Sequence, residues 1–133
     1  MVENDIIEYA KSMALDAANK GLFREEYLNR INRFFSAEVI KAADIALANT
    51  ISDEVIDKCV EMQQFCIDNE TQALTDVVKD TIGKENFNKL VVLGAIIPKW
   101  YGGYEYVWWD SKADMNIGKL KYYRDKEKAK IKK

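Results

Sequence analysis

Residues 98–110 read Pro98-Lys99-Trp100-Tyr101-Gly102-Gly103-Tyr104-Glu105-Tyr106-Val107-Trp108-Trp109-Asp110. This stretch holds the only proline, all three tryptophans and three of the seven tyrosines. Tyr104, Tyr106 and Trp108 alternate with Glu105, Val107 and Trp109. That is the period of a strand, and aromatics with valine suit a pleated surface. Gly102-Gly103 is a permissible two-residue turn between 99–101 and 104–106. A second turn through 111–116 would return the chain along 117–123, completing a small aromatic β-hairpin or meander. Pro98 pushes Ile97 out of the α region, so any helix arriving from upstream ends there.

Upstream the pattern is helical throughout. Over residues 5–20, Ile6, Ala10, Met13 and Ala17 recur at helical spacing, widened by Ile7, Ala14 and Ala18. Asn4 can cap this helix and Gly21 can end it. Its alanine-rich face implies close approach of another helix. A second helix over 24–34 turns Tyr27, Leu28, Ile31 and the Phe34/Phe35 pair inward, with Glu25 and Glu26 early and Arg30 and Arg33 late, as the helix dipole favours. Ser36 caps a third helix to about Ala48. Ser52-Asp53-Glu54 starts a fourth, in which Val55, Cys59, Met62 and Cys66, flanked by Ile56, Val60 and Ile67, predict a core helix apolar on two sides. Asn69-Glu70-Thr71-Gln72 has the form of a new cap, with Leu74, Val77, Val78 and Ile82 following to Gly83; one long helix over 52–82 or two remain open. The run 90–97 is apolar all round, and continuation from Asn86 through Phe87 and Leu90 favours helix over buried strand.

The fold expected is therefore mainly α, an irregular bundle of five or six helices with a small aromatic β-hairpin near the C-terminus. A chain of 133 residues suits a single domain. It divides into a helical body (1–97), an aromatic hairpin region (98–118) and a basic tail (119–133).

Composition narrows the chemistry. Histidine is absent, which removes histidine-activated serine and cysteine nucleophiles and the common zinc and diiron sites together. Cys59 and Cys66 lie seven apart on one helix, about 10 Å along its axis, too far for a disulfide and too few for a structural zinc. They read as small core residues. Gly83-Lys84 and Gly118-Lys119 lack the remainder of a phosphate-binding loop, and no dinucleotide-binding fingerprint is present. No cofactor is implied. Asp53/Asp57 and Asp76/Asp80 are i,i+4 pairs able to share a divalent cation, the only support for a carboxylate- and metal-dependent enzyme.

No apolar run approaches the roughly 20 residues that span a bilayer, and the acidic N-terminus is unlike a secretory leader. A cytoplasmic protein without membrane contact is expected. Sixteen lysines against four arginines, with 13 isoleucines and nine asparagines, point through their AT-rich codons to the low-GC genome of a bacterium or its phage.

The near-neutral total charge of −2 conceals a dipole. Residues 119–133 carry a net +6 and residues 1–118 a net −8. Lys119, Lys121, Arg124, Lys126, Lys128 and Lys130 could neutralise phosphates, could belong to a solvated, frayed helix end, or could lie on the acidic body of this or another copy. The aromatics likewise admit three readings: closing the end of the core, anchoring a partner through Trp100, Tyr101, Tyr104, Tyr106, Trp108 and Trp109, or stacking bases. Core closure is the favoured structural role. The favoured function is a non-catalytic protein-interaction protein, for instance a phage or mobile-element inhibitor or adaptor acting on a host nucleic-acid enzyme. The alternative is a nucleic-acid-binding module using the tail. Self-association is compatible with either.

Overall fold

The apolar run 90–97 changes conformation at Gly94. In the computed structural model, which describes residues 3–110, 112–113 and 115–131 (side chains of 5–110, 112–113 and 115–126), helix α6 (Lys84–Leu93) stops there. Gly94 adopts φ 79°, its N–H donates to the Val91 carbonyl and the Ala95 N–H donates to the Leu90 carbonyl. These two bonds close a helix on a left-handed glycine. The expected continuation to Ile97 is thus corrected: Ile96 already opens strand β2 (Ile96–Tyr101), and Pro98 lies inside that strand. Pro98 faces Val107 of β3 (Tyr104–Trp109), three pairs from the Tyr101–Tyr104 pair that closes the hairpin. Counting from that hydrogen-bonded closing pair, Pro98 falls at a non-hydrogen-bonded position, so its missing N–H costs the ladder nothing. Gly102 and Gly103 both have positive φ, +61° and +87°, as the turn with the right twist for a hairpin requires.

The stretch before α5 (Thr75–Ile82) also departs from expectation. Asn69 ends α4 (Asp53–Asp68), its side-chain amide donating 2.8 Å to the Phe65 carbonyl, and opens no new helix. Ala73–Leu74 form a short strand β1 that pairs antiparallel with β3, giving the sheet order β1-β3-β2. Residues 52–82 are therefore two helices separated by a strand.

The tail is helical. Asn116 accepts from the Lys119 N–H at 2.9 Å and caps α7 (Ile117–Ile131). The strand return along 117–123 is overturned because Ile117 and Leu120 bury one helical face against the body, with Met115 just before them. Ser111 and Asp114, in the turn expected through 111–116, lie outside the described residues.

The remaining elements are α1 (Glu3–Asn19), α2 (Arg24–Ile31) and α3 (Ala37–Ala48). Asn4 lies inside the first turn of α1 and so does not cap it. Ala10, Ala14, Ala17 and Ala18 are buried and let α1 lie closely along α3 and α6. Ser36 and Ser52 cap α3 and α4, each accepting from the N–H three residues on. Two inward assignments fail. Phe34 is 71% exposed, because α2 ends at Ile31 and the chain turns before reaching it. On α4, Ile56, Cys59 and Cys66 are buried but Ile67 is exposed, so that helix packs on one side only. Seven helices and three strands among the described residues make a mainly α fold around one apolar cluster running from Ala10 to Leu120. No helix among the described residues is long and apolar enough to cross a membrane.

Candidate functional site

The register of the hairpin sorts its aromatics into two faces. Tyr101 pairs with Tyr104, Lys99 with Tyr106 and Ile97 with Trp108, which puts these six side chains on one side of the sheet. Leu74 of β1, opposite Tyr106, joins them. The other side carries Ile96, Pro98 and Val107, all buried, with Trp109 packed against the core. Core closure is therefore the work of the inner face. The Trp109 indole Nε1 is buried there without a hydrogen-bond partner among the described residues.

The outer face is solvent-facing. Tyr101 is 79% exposed, Tyr104 62% and Trp108 42%, while Tyr106 is half-buried. The Lys99 ammonium stands 5.1 Å from the centroid of the Trp108 indole, an approach that favours a cation over the ring face. Trp100 pairs with Glu105 on the inner side, yet at the hairpin end it is 72% exposed. Four of the six aromatics singled out in the sequence thus share one surface; Trp100 and Trp109 belong to the other side. Chemically this surface offers flat apolar area edged by tyrosine hydroxyls, with one cation.

The basic residues of α7 divide as well. Lys121 donates 2.9 Å to Asp57, and this bond raises the lysine pKa above its ordinary value. Arg124 donates to Asp53 at 3.1 Å, to the Ala48 carbonyl at 2.7 Å and to the Ile51 carbonyl. Two of the six proposed phosphate contacts are therefore engaged with α4 and the end of α3. Lys119 and Lys126 are exposed and have no ion-pair partner among the described residues; the side chains of Lys128 and Lys130 lie outside those residues. The same contacts occupy Asp53 and Asp57, the first carboxylate pair considered for a metal. Asp76 and Asp80 are exposed on α5. Among the described residues no group of three or more metal-ligating side chains gathers.

Three features escaped the sequence. Ile97 of the outer face becomes legible from the two-residue period only once β2 is extended back past Pro98, whereas Lys99 already lies in the expected strand 99–101. Leu74 was not legible, because a two-residue strand leaves no periodicity. Nor was the pairing of Arg24 with Asp44, since charges on separate helices carry no mutual spacing. Comparison with known proteins adds no relative: no family model matches the chain, and neither does a curated protein or a solved structure.

Proposed function

We propose that this chain is a non-catalytic binding protein that docks a partner protein on the outer face of its sheet. The observation carrying this reading is the exposure of Tyr101, Tyr104 and Trp108 side by side on a hairpin whose opposite face already closes the core. Exposed aromatics that contribute little to burial cost solubility, and a contiguous patch of them is the usual mark of an interaction surface. Tyrosine and tryptophan are the residues that concentrate binding energy, because each brings a large rigid area with few rotors. A paired hairpin closed by Gly102-Gly103 holds them pre-ordered, which lowers the entropy lost on docking.

The finer reading, an inhibitor or adaptor of phage or mobile-element origin acting on a nucleic-acid enzyme in the cytoplasm, draws on charge. The net −8 of residues 1–118 complements a basic groove. The test is affinity capture from the native host with nuclease present, comparing the parent chain with Tyr104→Ser and Trp108→Ser. Loss of one captured protein in both variants, with unchanged circular dichroism and melting, supports docking through this face. Equal capture by the variants overturns it.

A nucleic-acid-binding role is supported by the same exposed rings, with Lys99 beside them and Lys119 and Lys126 on α7. Filter binding over a salt series separates the two: affinity for single strands that falls steeply with salt and disappears in Trp108→Ser favours nucleic acid.

A further inference from the structure

Away from the sheet, a cleft of about 360 Å³ opens between α2, α3 and the start of α7. Arg24 and Asp44 lie in it as a closed pair, bonded by two 2.8 Å contacts. Ile40 and Met115 supply apolar wall, and Tyr123 contributes a ring. Lys41 and Lys119 also line it.

The two lysines differ from the five that are held in ion pairs. Lys11, Lys20, Lys58, Lys89 and Lys121 each pair with a carboxylate. Lys41 and Lys119 have no such partner among the described residues, and both are exposed. With Arg24 bonded to Asp44, the cleft's lining carries two further positive charges that have no ion-pair partner among the described residues. That is a local excess on a body whose residues 1–118 are net negative. The Arg24 fork is committed to Asp44, so planar two-bond recognition of a carboxylate is unavailable. Two ammonium groups act instead as point charges, the form in which lysine suits a phosphate.

We propose that this cleft binds a small phosphate monoester with an apolar body, Lys41 and Lys119 holding the phosphate while Ile40, Met115 and Tyr123 cover the rest. The size is within the range of small-molecule sites, which combine apolar walls with a few placed polar groups. Because Lys41 belongs to α3 and Lys119 to α7, an anion between them ties α7 to the body. Binding therefore also slows opening of the first turns of α7.

Phenyl phosphate is the probe, titrated into the full chain at low ionic strength and followed by calorimetry and amide hydrogen exchange. The expected result is saturable binding that weakens with added salt, with slower exchange across residues 117–123. Lys41→Gln and Lys119→Gln each weaken binding several-fold and the double variant by more than about tenfold. Neither lysine has an ion-pair partner among the described residues, so these variants keep the parent melting temperature. No saturable binding by the parent, or undiminished binding by the double variant, overturns the site. Inorganic phosphate binding as tightly as phenyl phosphate overturns the assignment of an apolar body.

Discussion

Arg24 and Asp44 meet as a fork, Nη1 to Oδ1 and Nη2 to Oδ2, each at 2.8 Å, joining the start of α2 to the inner side of α3. Arg24 also donates 3.1 Å to the Val92 carbonyl near the end of α6, and its guanidinium lies 5.7 Å from the Tyr27 ring centroid. One side chain thereby connects three helices. Asp44 is almost wholly buried, so removing either residue takes away the fork that offsets the desolvation of the other's charge. Asp44→Ala should lower stability by about 3 kcal/mol, and Arg24→Lys should also destabilise because an ammonium cannot reproduce the fork. The apolar double replacement Arg24→Met with Asp44→Leu should lie closer to the parent than Asp44→Ala. Urea unfolding of the set checks this; a double variant less stable than either single one would contradict it.

Gly94 can be separated into its two requirements. Its φ of 79° disfavours any side chain, and a Cβ there would stand 3.1 Å from Arg24 Cγ. Gly21 has a similar φ of 71° with nothing within 4 Å. Gly21→Ala should therefore cost only the left-handed conformation, about 1 kcal/mol. Gly94→Ala should cost more, since the Arg24 side chain must also shift. Equal losses in thermal unfolding would show that the close approach is harmless.

The two cation contacts that dock α7 differ in kind. The Lys121–Asp57 pair is half exposed on both sides, whereas Arg124 is mostly buried and satisfies the Ala48 and Ile51 carbonyls. Arg124→Ala should destabilise by about 2 kcal/mol and speed amide exchange in α7. Lys121→Ala should leave the unfolding midpoint unchanged within error, because exposed pairs contribute little and are screened. An equal effect of the two substitutions would refute the distinction.

Alkaline pH should reveal Cys59. Burial pushes its thiol up from 9.0 to about 12, and burial, with Asp44 nearby, raises the Tyr27 hydroxyl too. A raised folded-state pKa contributes stability that is complete below the unfolded value and is lost as pH rises through the folded one. The parent should thus lose stability between about pH 9 and 12, at up to about 1.4 kcal/mol per pH unit from Cys59. Cys59→Ala should show a shallower decline. In native protein at about pH 8, thiol titration should find Cys59 unreactive until denaturant is added. Rapid native labelling of Cys59 would count against its burial.

The two faces of the sheet should separate in stability measurements. Tyr101→Ser and Tyr104→Ser should change stability by less than about 0.5 kcal/mol, as exposed substitutions do. Val107→Ala, on the inner face, should cost about 2 kcal/mol through the cavity it leaves. Large losses from the tyrosine variants would mean that the outer face supports the fold after all.

Much of the helical body was legible because its signals are local. Ser36 and Ser52 announce the starts of α3 and α4, and the alanines of α1 announce a close helix contact. The Gly102-Gly103 turn fixed the hairpin register, and with it the grouping of Tyr104, Tyr106 and Trp108. Phe34, Ile67 and Leu74 were misjudged or missed, since hydrophobicity alone does not say whether a neighbouring element arrives to cover a side chain.

The mainly α class, the hairpin and the absence of histidine-based chemistry follow directly from caps, periods, turn glycines and composition. The division of the run 90–97 at Gly94, the helical conformation of 117–123 and the outward direction of the aromatic surface came from long-range packing. It likewise decided that Arg24 meets Asp44 and that Arg124 reaches the carbonyls of Ala48 and Ile51. Each of these depends on which distant element lies opposite, and that is set by the packing of the whole core.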